Sequence, residues 1–181
     1  AGLDRVIELA RTSQTPLFHS HTFHVFRCEV TGEAAPAQAY AREALDYAER
    51  TGSQLARIMA YLSLGLANVL NGAWRDALEV LGTASTIGRE RRLLVCEGGV
   101  LAAMAAAHLG LGDRARALTL AEEAIVVCRQ RGTRLWEFSA LRTRIRALRE
   151  TQGLQATREI EAALAAADAW LEMSGAKSYA P

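Results

Sequence analysis

Apolar residues recur at steps of three and four along most of this chain, which is the spacing of helices that bury one face. Ile58, Leu62, Gly65 and Val69 show this pattern within one stretch. No stretch shows the apolar–polar alternation that is typical of a half-buried strand. The pattern therefore predicts an all-α fold.

Capping residues give the bounds of the predicted helices. Ser53 and Asp113 are good N-caps, and Gly52 and Gly72 can end helices in the left-handed conformation. The predicted helices cover residues 3–11, 16–31, 36–50, 53–70, 74–89, 92–109, 113–131, 133–151 and 154–173.

The helices come in pairs that repeat at a nearly fixed period. Glycines lie 40, 40 and 41 residues apart, at Gly32, Gly72, Gly112 and Gly153. Alanines follow the same register. A fixed period of this size predicts a stacked helical array in which each repeat contacts only its neighbours.

The second repeat carries a more specific resemblance. Leu64–Gly65, Gly72, Ala77, Leu81 and Ala84 have the spacing of the tetratricopeptide (TPR) repeat. The resemblance implies a right-handed α-solenoid of antiparallel helix pairs, with about four repeats of 40 residues. The usual period of that family is about 34 residues. The longer repeat, with the motif GDRARAL at 112–118, is similar to MalT-like transcription activators and to the C-terminal region of bacterial cyclase–ATPase fusion proteins.

The period also predicts the domain organisation. We expect residues 1–12 to end a preceding helix and residues 13–175 to form the repeat domain. Residues 176–181 would start a further repeat, so we expect the chain to be a piece of a longer polypeptide. The predicted repeats are 13–52, 53–91, 92–132 and 133–175.

Composition excludes several classes of function. The net charge of +1 argues against a generally basic protein that binds nucleic acid directly. Three widely spaced cysteines are typical of reduced, buried thiols, and they favour a cytoplasmic location. The chain contains no apolar run of eighteen residues, so its sequence predicts no membrane span.

The resemblance implies a concave groove lined by one face of each first helix. Its middle would be apolar and its last wall basic, which suits an amphipathic peptide with an acidic group. The alternative is that the apolar residues pack on one another or on a neighbouring domain. The groove candidates are Phe26, Met59, Leu62, Leu66, Arg142, Arg146 and Arg149, and the same register adds His19, Thr22, Glu29, Val69, Gly99, Ala102, Ala106, Leu109 and Ser139.

The basic wall is an arginine cluster. Arg142, Arg146 and Arg149 share one helix face, and the segment 129–149 holds seven arginines and one acid, Glu137. Guanidinium groups match carboxylates and phosphates in geometry, so an anionic peptide or small effector is a candidate ligand. The alternative is a solvated face neutralised by neighbouring acids, namely Glu122, Glu123 and Glu159.

Other chemistry is weakly represented. His21, His24 and Cys28 share a helix stripe, but a tetrahedral metal site usually needs a fourth ligand, so we interpret them as core residues. The chain has no phosphate-binding loop, no dinucleotide fingerprint and no nucleophile–base arrangement. We therefore expect no metal, no cofactor and no catalytic site in this chain.

Together these features predict a non-catalytic interaction or sensor module. Its partner would be a peptide or a protein domain, including another domain of its own polypeptide. The resemblance implies that the parent is a bacterial multidomain signalling protein with an adenylate or guanylate cyclase. The alternatives are the ligand-sensing region of a transcription activator and a scaffold that self-associates as a homodimer through its open ends.

Overall fold

The computed structural model describes residues 18–153, 157–158, 160–162, 164–165 and 168. Every regular element in those ranges is helical, and no strand occurs among them. The all-α prediction is therefore confirmed for this part of the chain. The predicted helix 3–11 and the proposed repeat start at 176–181 lie outside the described residues.

The helices form two compact units, of which the first ends at Cys96 and the second begins at Glu97. The first unit contains α1 (Phe18–Thr31), α2 (Ala34–Thr51), α3 (Gln54–Leu70), α4 (Trp74–Arg91) and a short 3-10 turn (Leu94–Cys96). The second contains α5 (Glu97–Gly110), α6 (Arg114–Arg131) and α7 (Arg134–Gln152), and residues 157–158, 160–162, 164–165 and 168 are also helical.

Helices pack in the same way inside each unit. In the first unit, α1 packs on α2 and on α3, and α3 packs on α2 and α4. In the second unit, α5 packs on α6 and α7, and α6 packs on α7. Each unit is thus built from helices that contact the next helix in the chain, with a further contact between alternate helices.

A residue with positive φ follows the helices at a spacing of about twenty residues, which is half the period seen in the sequence. At most of these turns the N–H of the next residue donates to the carbonyl five residues earlier, as in Leu93 to Gly88 (2.8 Å) and Thr133 to Cys128 (3.0 Å). The residues with positive φ are Gly32, Gly52, Gly72, Arg92, Gly112, Gly132 and Gly153.

Two predicted caps are confirmed, and one predicted helix start is wrong. The Ser53 hydroxyl accepts from the Ala56 N–H at 3.3 Å, and Asp113 accepts from the Arg116 N–H at 3.1 Å. The helix predicted from Arg92 begins only at Glu97. Arg92 itself takes the left-handed conformation (φ 55°) that Gly52 adopts 40 residues earlier. Because the residue at this helix end is an arginine and not a glycine, the sequence pattern did not indicate the end.

Small residues occupy the interior of the helix contacts. The repeated alanines Ala37, Ala77 and Ala117 are fully buried. A Cβ built on Gly65 of α3 would lie 2.5 Å from both Cγ and Cδ2 of Leu81 in α4. The absence of a side chain at Gly65 therefore lets α4 lie close to α3 at this point.

We predict opposite effects of the same substitution at two mid-helix glycines. Gly65→Ala should lower the free energy of unfolding by about 1–2 kcal/mol, because overpacking against Leu81 outweighs the gain in helix propensity. Gly82→Ala meets nothing within 4 Å and should raise the free energy by ~0.5–1 kcal/mol. Urea unfolding followed by circular dichroism measures both, and equal stabilisation would show that α3 and α4 are not in close contact.

We also predict that Arg92→Gly stabilises the protein. Relief of the left-handed strain should add about 0.5–1 kcal/mol to the free energy of unfolding, since glycine adopts this conformation cheaply. The matched control, Arg91→Gly, changes an exposed helical residue and should cost about 1 kcal/mol. If both variants lose stability in urea, Arg92 is not in the left-handed conformation.

Candidate functional site

The exposed part of the predicted basic wall is the last two turns of α7. Arg146 and Arg149 are both exposed and border a concavity of 260 Å³ that Glu150 also lines. Among the described residues, no carboxylate lies within ion-pair distance of either guanidinium. The Glu150 carboxylate instead pairs with Arg114 of α6 at 3.2 Å. Arg142, one turn earlier, is half-buried and makes contacts of its own.

Three other arginines of the 129–149 segment are neutralised within the second unit. Nη2 of Arg131 lies 2.7 Å from the Glu97 carboxylate. Nε of Arg129 lies 2.7 Å from Oε1 of the buried Glu137. Nε of Arg144 lies 3.3 Å from the Glu122 carboxylate, as the solvated-face interpretation expected. Glu123 is exposed, and Glu159 lies outside the described residues. The seven arginines of the cluster therefore differ: three are paired, Arg142 is half-buried, and Arg134, Arg146 and Arg149 are exposed, of which Arg146 and Arg149 lie together at the concavity.

The predicted apolar floor is largely covered by its own unit. Leu62 and Leu66 of α3 are buried, and so is Phe26 of α1. Met59 is half-buried, with its sulfur 3.0 Å from the Cys96 thiol. Side chains in this position contribute packing and offer little surface to a ligand, which favours the alternative that the apolar residues pack on one another.

The remaining groove candidates are mostly covered as well. Ser63 of α3 donates a hydrogen bond to the Thr22 hydroxyl at 2.9 Å, which ties α1 to α3 through a buried polar contact. The side chain of His19 lies outside the described residues. The buried candidates are Thr22, Glu29, Gly99, Ala102, Leu109 and Ser139, and the half-buried ones are Val69 and Ala106.

The histidines on α1 pack as core residues. His21 and His24 are both buried, and the His24 ring stacks on Tyr40 of α2 with centroids 4.4 Å apart. Nδ1 of His21 lies 3.5 Å from the Glu43 carboxylate. No group of metal-ligating side chains occurs in the part of the chain that the structure describes.

The three cysteines are buried and poorly disposed to react. Burial raises the pKa of each thiol, and it raises the pKa of Cys96 from 9.0 to about 11. A thiol with a raised pKa carries little thiolate at neutral pH, so these residues are weak nucleophiles. None of the described helices is long and apolar enough to cross a membrane.

The sequence pattern missed a second concavity, on α6. It has a volume of 310 Å³, and the side chains that line it combine an apolar base with a charged rim. Its lining consists of Glu122, Ile125, Val126, Arg129, Leu141, Arg144 and Ala162. One signal was available in the sequence, because Val126 is apolar where the repeat has Asp46 and Thr86, 80 and 40 residues earlier.

Comparison of the chain with family models, with curated proteins and with solved structures gave no match.

We predict a pH dependence of stability that Cys96 carries. Its folded pKa lies above the unfolded value, so the folded state holds the proton more tightly. The resulting stabilisation is complete below about pH 9 and is lost as the pH rises toward 11, with an upper limit of about 3 kcal/mol. Urea unfolding at both ends of that window should show the difference between the native chain and Cys96→Ala shrinking with rising pH. A constant difference would contradict the burial of this thiol.

Proposed function

We propose that this chain is a non-catalytic helical-repeat module that binds an acidic segment of a partner protein or of another domain of its own polypeptide. The observation that carries the proposal is the exposed pair Arg146 and Arg149. These two side chains border a concavity and have no carboxylate partner among the described residues. Arg142 lies on the same helix face and extends this basic surface inward.

Electrostatics supports an anionic ligand at this place. Arginines three residues apart on an exposed helix repel each other by a few tenths of a kcal/mol. The nearest acid, Glu150, is already paired with Arg114, so it does not relieve that repulsion fully. A carboxylate from a partner would relieve it and could accept two parallel hydrogen bonds from one guanidinium.

The repeat architecture supports an interaction role in general. The recurring turns and buried alanines are what a TPR-type array of about four 40-residue repeats requires, and we propose the right-handed solenoid on this basis. Ligand binding could act on an attached domain if the ligand has different affinities for two shapes of the array.

The parent protein is a separate proposal, which rests on the resemblance carried by the motif at 112–118. We propose that the module is the regulatory part of a bacterial cyclase–ATPase signalling protein. The reading frame on both sides of this chain tests the proposal directly. Cyclase and ATPase motifs upstream would support it, whereas a helix-turn-helix segment would favour a transcription activator.

Titration with an acidic peptide tests the binding proposal. Isothermal calorimetry should show saturable, salt-sensitive binding of a peptide rich in Asp and Glu. Arg146→Gln/Arg149→Gln should weaken it about 10-fold or more, because exposed charge-assisted hydrogen bonds are lost. The matched control, Arg75→Gln/Arg91→Gln, removes the same charge from exposed positions of α4 and should leave affinity within about twofold.

Two results would contradict the proposal. One is equal weakening by the two double variants, which would mean that the peptide responds only to net charge. The other is the absence of binding at low salt, both by the acidic peptide and by the flanking domains supplied separately. Inorganic phosphate serves as a competitor, and full displacement of the peptide by phosphate would assign the site to a small anion instead.

A further inference from the structure

We infer that one stripe of α6 is a self-association surface, which pairs antiparallel with the same stripe of a second copy of this chain. The stripe consists of Glu122, Val126 and Arg129, at positions i, i+4 and i+7 of the helix. All three side chains are more than half exposed: Glu122 and Val126 at 53% and Arg129 at 57%. This surface is distinct from Arg146 and Arg149, so the inference does not depend on the proposed function.

The fold does not require a valine at position 126. The equivalent positions of the repeat are Thr86 in α4 and Asp46 in α2, and both are exposed polar residues. An array of this kind therefore packs its helices with a polar side chain at this place. Exposure alone does not distinguish Val126, since Val95 is equally exposed; what distinguishes Val126 is that an acid, a base and a concavity lie beside it.

The concavity beside Val126 supplies the complementary shape. Ile125 and Leu141 form its buried base, and Ala162 borders it from the helical segment 160–162. The concavity is open to solvent, and its volume of 310 Å³ lies at the lower end of the range for binding pockets. Val126 of a second copy can enter this space, while the first copy's Val126 enters the partner's.

The order of charges makes the stripe complementary to itself. Glu122 lies about 6 Å along the helix axis on one side of Val126, and Arg129 lies about 4.5 Å on the other side. When two such helices lie antiparallel about a two-fold axis, each Glu122 faces the other copy's Arg129. In this arrangement Val126 lies near Val126 of the second copy, and both Glu122–Arg129 pairs form together.

Contacts inside the unit hold the charged ends in place. Arg144 pairs with Oε1 of Glu122, and Glu137 pairs with Nε of Arg129. Glu122 and Arg129 therefore already have partners inside the unit, and the cross-pairs of the dimer would give each of them a second, shared partner. The stripe is smaller than the roughly 1,200 Å² of a stable interface, so we expect a weak dimer that forms only at high protein concentration.

Charge reversal gives a test that folding defects do not imitate. Glu122→Arg alone and Arg129→Glu alone should each stay monomeric in sedimentation equilibrium, because each places like charges opposite each other. A mixture of the two variants should associate, since both cross-pairs are then attractive, with an affinity about 10-fold above that of either variant alone. Circular dichroism checks that both variants remain folded.

The apolar contact is tested with two valines of equal exposure. Val126→Asp should abolish the dimer of the native chain, whereas Val95→Asp, at a position that is also 53% exposed, should leave it unchanged. A native chain that stays monomeric at every concentration would overturn the inference, as would a mixture no tighter than its components. Equal effects of the two valine variants would assign the association to another surface. Binding of the acidic peptide to Arg146 and Arg149 should persist in every variant, so the two proposals can fail separately.

Discussion

The close approach of neighbouring helices is the constraint on which the rest of this structure depends. The Leu81 side chain lies so close to Gly65 that a Cβ on residue 65 would be only 2.5 Å from it. Buried alanines make similarly close helix contacts at other places along the chain. Small residues bring helix backbones close enough for continuous van der Waals contact, although each one buries little area by itself. The fold therefore depends on many small contacts, which explains how a chain with so few aromatic residues can bury its helices.

That constraint also determines where function can be located. The interior contacts of the described helices are filled by alanine, glycine and a few larger residues such as Leu62 and Leu66, so substitutions there act first on packing. The outward faces are free to vary, since a repeat tolerates many residue types there. The exposed arginines of α7 and the acid–apolar–base stripe of α6 both lie on such faces. The two proposed binding surfaces therefore lie where the helix packing constrains the side chains least.

Prediction from the sequence succeeded where one local cause determines the outcome. Ser53 and Asp113 cap their helices because a short polar side chain reaches the first free N–H groups. It failed at Arg92, where an arginine takes the left-handed conformation usually left to glycine. The hydrogen bond from Leu93 to Gly88 completes the same helix end that glycine forms at other turns, so the residue type at position 92 gives no local signal of that end.

The sequence by itself determined the helical class, the forty-residue period and the concentration of arginines between residues 129 and 149, because these depend on spacing along one chain. The tertiary structure decided which arginines are neutralised. Arg129 and Arg144 find carboxylates because α6 and α7 pack side by side, whereas Arg146 and Arg149 lie at a place where the nearest acid is already paired. Helical spacing tells which residues share a face, but the partner of that face depends on the neighbouring helix, whose position is a property of the folded chain alone.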